Sequence, residues 1–455
     1  MKRMRAILCG VLAALMLAGC GGVEVITCQS ERPAPAADLT QYAVREAAYP
    51  VFPKEPVYED YIDENGEGDW DAYDAAYSEY REALQKLGKG ERPDDSAVRR
   101  FADQTAAEIF TGRENTVYSP ISLYAALGML TELTDGETRQ QVLDLLGATD
   151  TEALRQQINR LWISVYQDGD AVCRLANAAF AREDADVKQS AVDALAEWYF
   201  ASSYRVSMGT EEADEAIASW LNQQTGGLLA EETGNIHTEE ENLLRLYNTI
   251  YYKAGWLNAF ESGQTGTDTF TAADGNKQQT DFMHRTDEGT YRQGEGYTAA
   301  PKSLKYGRMV FVLPEEGVTP ESLLQRQGFL SELAEGYDRA RVNWSVPRFD
   351  VKSSVDLADA LKALGVADAF EADKADFTPL TDNIAYVSSV MQAARVKIDE
   401  EGVEAAAYTE IVAKSDGAPE PSPVVEMNLN RPFAFVIFDG NDVPLFVGTV
   451  QTMAG

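Results

Sequence analysis

The chain has 455 residues, 74 acidic and 39 basic, for a formal charge of −35, with 45% hydrophobic and 10% aromatic content. That content is globular and excludes disordered or collagen-like classes, and so acidic a surface repels phosphate backbones and anionic headgroups, excluding nucleic-acid binding by electrostatics. Two His and four Cys leave little material for metal sites or His-based triads.

The length alone suggests about three domains, although one large mixed domain fits it too. Lys2, Arg3 and Arg5 precede a mostly apolar run from Ala6 to Leu17, too short to span a bilayer, which needs roughly 20 apolar residues. Residues 1–19 therefore read as an export signal. Leu17-Ala18-Gly19-Cys20 resembles the bacterial lipobox, which implies a lipid on Cys20 and anchoring at the outer face of a bacterial membrane. Ordinary secretory cleavage with Cys20 incidental is the alternative. Residues 20–40 are small, polar and Pro-containing, as a flexible tether is.

Residues 41–93 form an acidic extension rich in Tyr and Pro. Tyr42, Tyr49, Phe52, Tyr58 and Tyr61 sit among Pro50, Pro53 and Pro56. Asp69 is placed to cap a helix carrying Trp70, Tyr73, Tyr77, Tyr80, Leu84 and Leu87 at steps of three and four, ended by Gly88. Such a stripe is expected to pack on the main body rather than to form a ligand site. Cys28 lies in the tether and Cys173 in the apolar run Val172–Ala176. The cysteines thus suggest no disulfide framework, and Cys173 reads as a small buried hydrophobe.

From about Asp94 to the end the pattern is a large α+β mixture. Helices are expected at Val98–Phe110, Ile121–Leu130 after Pro120, Thr138–Leu146, Glu152–Val165, Ala191–Phe200, Glu212–Gln224 and Asp356–Leu364. Strands are expected at Leu246–Lys253, Met309–Leu313, Val342–Val346, Ala394–Asp399, Ala434–Phe438 and Leu445–Val450. No repeat of solenoid spacing is present.

Enzyme motifs are missing. There is no Gly-x-Ser-x-Gly and no phosphate-cradling Gly-x-x-x-x-Gly-Lys loop. Gly294-Glu295-Gly296 lacks the third glycine of a dinucleotide loop and reads as a turn. His237 lies in a polar loop, and His284 follows Met283 at an expected strand end; neither has a Cys or His neighbour at ligand spacing. No catalytic residue, metal or cofactor is assigned.

The informative segment runs from Glu400 to Asp416. Odd positions from Val403 to Ser415 are uncharged and mostly small, while even positions hold Glu404, Glu410, Lys414 and Asp416. A strand with one buried and one wet face alternates in this way. The run leads into Gly417-Ala418-Pro419-Glu420-Pro421-Ser422-Pro423, which cannot continue a central strand, and Gly402 permits a hinge at the other end. A plain edge strand followed by a loop is the simpler reading. Against it, Ala405, Ala406 and Ala407 are poor strand formers, yet they would slide between two existing strands without clash.

Four ordered motifs resemble the serpin family of serine protease inhibitors, over about Asp94 to Val450. Asn115-Thr-Val-Tyr-Ser119-Pro120-Ile121-Ser122 is similar to the family's approach to a central helix. Asn248 to Trp256 resembles the strand carrying a buried Asn and the breach Trp. Ile398 to Gly402 with Glu404 to Ala407 resembles the inhibitory hinge, and Arg431 to Ile437 with Pro444 to Gly448 resembles the C-terminal hairpin.

The resemblance implies mixed central sheets with about eight or nine helices and an exposed reactive-centre loop. Asn115, Ser119, Ser122, Asn248 and Gln392 would form the shutter, with Gln392 where the family usually has His. Trp256, Arg348 and Glu400 would form the breach, and Glu400, Gly402, Val403, Glu404 and Ala405–Ala407 the hinge. Counting seventeen residues from Glu400 places the scissile bond at Asp416–Gly417, with Lys414 and Ser415 as alternatives. The implied activity is suicide-substrate inhibition: a serine protease, or alternatively a cysteine protease, is acylated, and the cut loop inserts as a strand. The implied partner is that protease, in covalent complex with a monomeric inhibitor. A surface binding module of the same fold is the rival reading, and a hydrolase is disfavoured by the missing motifs.

Overall fold

In the computed structural model, residues 38–63, 66–88, 95–234, 236–404 and 423–453 are described. The export signal, Cys20, nearly all of the tether and the expected loop residues Ala405–Ala407, Lys414, Ser415, Asp416 and Gly417 lie outside that set.

The extension begins with a short turn at Leu39–Gln41, capped by Asp38, and a three-residue strand β1 (Ala43–Arg45). Helix α1 (Trp70–Leu87) follows, its first turn closed by Asp69, whose carboxylate accepts from the Ala72 amide at 3.0 Å. The body opens with α2 (Asp95–Ile109), β2 (Thr116–Tyr118), α3 (Pro120–Leu133), α4 (Gly136–Leu146) and α5 (Thr151–Val165). Next come β3 (Gln167–Asp168), β4 (Val172–Arg182), α6 (Gln189–Trp198), β5 (Ala201–Val206), α7 (Glu211–Gln224) and α8 (Ala230–Thr233). Strands then dominate: β6 (Leu244–Gly255), β7 (Gly266–Thr271), β8 (Lys277–Gly294), β9 (Tyr297–Ser303) and β10 (Arg308–Pro314). Two short helices, α9 (Pro320–Leu324) and α10 (Phe329–Glu332), precede β11 (Asp338–Pro347), β12 (Phe349–Asp356) and α11 (Ala358–Ala363). The chain ends in β13 (Met391–Ile398), β14 (Gly402–Val403), β15 (Val424–Asn428), β16 (Phe433–Phe438) and β17 (Pro444–Val450).

Two sheets result. The main sheet runs β1-β5-β4-β6-β14-β13-β12, with β3 beside β4, and the second runs β15-β11-β8-β9-β10-β16-β17-β2, with β7 beside β8. Helix α3 is mostly apolar, and every residue but Ala126 is buried, as a helix enclosed by other elements must be. It lies beneath the main sheet with α5 and α6, while α7 covers the other face through Ile217 and Trp220 against Phe180 and Tyr204. Buried Glu132 of α3 is matched by Arg155 of α5, through two bonds of 2.6 Å, and by the Tyr199 hydroxyl at 2.9 Å. A charge so placed is tolerable only with such partners.

Two expectations are corrected. His284 lies inside the eighteen-residue β8, opposite Ser345 of β11, and not at a strand end. The aromatic stripe of α1 is only partly core: Tyr80 is buried, but Trp70 is 61% exposed and stacks on Tyr58 at 4.0 Å. The extension is held to the body mainly through Tyr49 and Phe52, which pack on Trp162, Tyr166 and Phe200, and through β1, which pairs antiparallel with β5.

Candidate functional site

The main sheet is incomplete between β6 and β13. Among the described residues these two strands share no backbone pairing of their own; only β14 joins them, and only at the upper end. Gly402 pairs with Gly255 and Val403 with Ala254 on one side, and Val403 with Ile398 on the other. Val403 points into the core at 3% exposure. The Gly402 requirement proves to be one of space: its φ is not in the left-handed range, but a Cβ there would stand 2.3 Å from the Ala254 carbonyl oxygen. Only glycine lets the backbone approach so closely.

Below β14 the walls part around a slot of about 270 Å³, lined by Leu244–Asn248 of β6, residues 384–392 leading into β13, and Ser122–Leu133 of α3 beneath. Its rim leaves Ile384 83% exposed and Met391 57% exposed, apolar surface that no strand covers among the described residues. The backbone edges of β6 and β13 below β14, unpaired among the described residues, are templates for a further strand.

The upper end is latched by charge. Glu400 is buried and takes the Arg348 guanidinium through both oxygens, at 3.1 and 3.0 Å from Nε, with a further bond from Nη2. The Thr265 hydroxyl also donates to it. Burial raises the Glu400 carboxyl, but the bonds from Arg348 and Thr265 more than offset this and leave it below the ordinary glutamate value. Trp256 donates from Nε1 to the Asp399 carbonyl at 2.9 Å and from its amide to the Glu401 carbonyl at 2.8 Å. Buried Lys302 supports that indole from β9, paired with Asp287 at 3.0 Å and set over Phe260 at 4.5 Å.

At mid-height both walls are tied to the N-terminus of α3. On one side, Gln392 of β13 accepts from the Ser119 amide at 2.8 Å and donates to the Ser119 carbonyl at 3.0 Å. On the other, the Ser122 hydroxyl bonds Asn248 of β6, and Asn248 bonds Asn177 of β4. Asn177 passes the chain on to the Tyr199 carbonyl at 2.5 Å. Asn248 is half-buried rather than buried, because it lines the open slot.

Asn115 does not join this group. Its side chain accepts from the Gln451 and Thr452 amides and donates to the Thr452 carbonyl, clasping the end of the C-terminal hairpin. Asn177, Thr265 and Lys302 were not singled out by sequence. Cys173 is fully buried, and burial raises its thiol far above the ordinary value, which leaves it unreactive.

A family model described as Serpin (serine protease inhibitor) matches residues 96–453. Serpin-Z2B of Triticum aestivum is 29% identical over 376 residues, covering 77% of this chain and 94% of that protein. The fold matches a thermophilic serpin, tengpin, in the native state with a TM-score of 0.73 at 24% identity, covering 81% of this chain and 98% of that one. It also matches human thyroxine-binding globulin, with a TM-score of 0.70 at 21% identity over 79% of this chain and 99% of that one. The chain belongs to the serpin family, described as serine protease inhibitors rather than as enzymes.

Proposed function

We propose that this serpin inhibits a serine protease as a suicide substrate, from the outer face of a bacterial membrane to which Cys20 anchors it. The observation that carries the reading is the seating of Gly402 and Val403 as the first rungs of a strand between β6 and β13, directly above the open slot. Residues 405–416 continue with the alternation and small side chains that the slot accommodates. Insertion would satisfy backbone N–H and C=O groups on three strands at once and bury Thr409 and Ile411. Cleavage at Asp416–Gly417 frees the far end. The acylated protease then travels with the strand, its oxyanion hole distorts, and deacylation fails. The intact protein is accordingly a kinetically trapped state, and strand insertion releases the stored free energy.

The test is to incubate the pure, full-length protein with a panel of serine and cysteine proteases and look for an adduct that survives denaturant. A covalent complex, together with a cut form that melts well above the intact one, supports the proposal. Simple loop cleavage without gain in melting temperature would instead support a binding module on the same fold. Sequencing the peptide released from a trapped complex identifies the scissile bond.

A further inference from the structure

Glu404 is the last described residue before the loop, and it sits in an unfavourable place. Its φ is +49°, in the left-handed region that non-glycine residues seldom occupy. The conformation is held from β13, because the Glu404 amide donates to the Lys397 carbonyl at 3.0 Å. Its Oε2 is buried and has no hydrogen-bond partner among the described residues, an arrangement far costlier for a carboxylate than for a neutral carboxyl.

The charged groups around it come from three strands: Lys253 and Tyr251 from β6, Arg395 and Lys397 from β13, and Asp350 from β12. Arg395 is already committed to Asp350 through bonds of 2.7 and 2.6 Å, and to the Leu228 carbonyl at 2.9 Å. Neither Lys253 nor Lys397 forms an ion pair with Glu404 among the described residues. The carboxyl is thus close enough to cations to feel them but is not neutralised by them.

We infer that Glu404 makes docking of the hinge proton-dependent, the carboxyl taking up a proton from solvent as Gly402–Glu404 seats between β6 and β13. This rests on the reading that strand insertion is the working step. Burial pushes the seated carboxyl up to about 7, against an ordinary value of 4.5, despite the opposing pull of Lys253, Arg395 and Lys397. The seated state therefore binds the proton more tightly than the released state. Seating is favoured below about 7 and loses that help as pH rises through 7. Between pH 8 and pH 5.5 the seated population should rise roughly thirtyfold relative to the released one.

Amide hydrogen exchange of the full-length protein reads this without any protease. Corrected for intrinsic exchange, the amides of Gly402, Val403 and Glu404 should be roughly thirtyfold better protected at pH 5.5 than at pH 8. Glu404→Gln keeps the shape and removes the titration, so its hinge protection should be the same at both values. The second buried acid near neutrality, Asp439, which burial raises to about 6, is untouched by that substitution and serves as internal reference. Equal hinge protection in the wild type at both pH values, or an undiminished pH response in Glu404→Gln, overturns the inference. A pH-responsive hinge in a protein that traps no protease would leave it standing while removing the inhibitory reading.

Discussion

The two ends of the slot are built on opposite principles. The upper end is polar, crowded and closed. Glu400, Arg348 and Thr265 form a bonded cluster, Trp256 holds the Asp399 and Glu401 carbonyls, and Gly402 touches the opposite backbone. The lower end is mixed in character and open, with Leu244, Leu246, Ile384 and Val390 beside Arg245, Asn248 and Ser388 around empty volume. A strand that must enter from one direction needs this difference. Directional bonds fix where it starts, and an open, unfilled groove accepts the small side chains that follow. Strength at the top sets the threshold for insertion, whereas the bottom supplies the gain in buried area.

The largest way to break the contrast is to close the top. In Gly402→Val the new side chain collides with the Ala254 carbonyl, so β14 cannot form. Insertion then lacks its first rungs, and the protein becomes a substrate. The number of inhibitor molecules consumed per protease trapped should rise at least tenfold, and a ratio close to that of the wild type would refute a starting role for these rungs.

Glu400→Lys is a smaller disturbance, because it leaves the backbone path intact but sets two cations against each other. Removing one partner of a buried, hydrogen-bonded pair costs about 3 kcal/mol; Arg348 is partly solvated, so about 2 kcal/mol is expected here. The intact protein should melt a few degrees lower and form loop–sheet polymers on gentle warming, detectable by native electrophoresis. The same latch should weaken in acid. Because the Glu400 carboxyl is depressed below its ordinary value of 4.5, its stabilisation is complete above that value and is lost as pH falls through the lower one. Acid-induced loosening that is identical in Glu400→Gln would show that another group is responsible.

Much of this site was legible because its residues are close together in the chain or belong to a dense motif. Glu400, Gly402 and Val403 lie within four positions, and the run from Asn115 to Ser122 announces a capped helix. What sequence missed is bonded across distance. Thr265 reaches Glu400 over 135 positions, and Asn177 meets Asn248 over 71, separations that no local periodicity encodes. The motif places Asn115 with its sequence neighbours Ser119 and Ser122, but the chain turns into β2 and leaves it beside Gln451 instead. Two long strands were equally hidden. In β4, Leu175-Ala176-Asn177-Ala178-Ala179-Phe180-Ala181 has the composition of a helix and is a strand only because both faces are covered; tertiary packing overrides propensity there. In β8, with only Phe282 and Met283 buried, the polar ribbon has no alternation to read.

The finest test concerns how the two walls are held at the level of α3. Gln392 and Asn248 look equivalent, one on each wall, yet they hold different things. Gln392 satisfies both the amide and the carbonyl of Ser119, a residue 1% exposed. Asn248 bonds a hydroxyl, which can turn to other acceptors, and a second amide side chain. Gln392→Ala therefore strands two buried backbone groups and should cost about 2 kcal/mol, whereas Asn248→Ala should cost about 1 kcal/mol. Because Gln392 restrains the β13 wall only, its loss should also let that wall move: the intact form should insert its loop faster at moderate temperature. Thermal unfolding of both variants gives the ranking. Equal losses, or a larger one for Asn248→Ala, would mean that the side-chain chain from Ser122 to Tyr199 and not the Ser119 clasp sets the width of the slot.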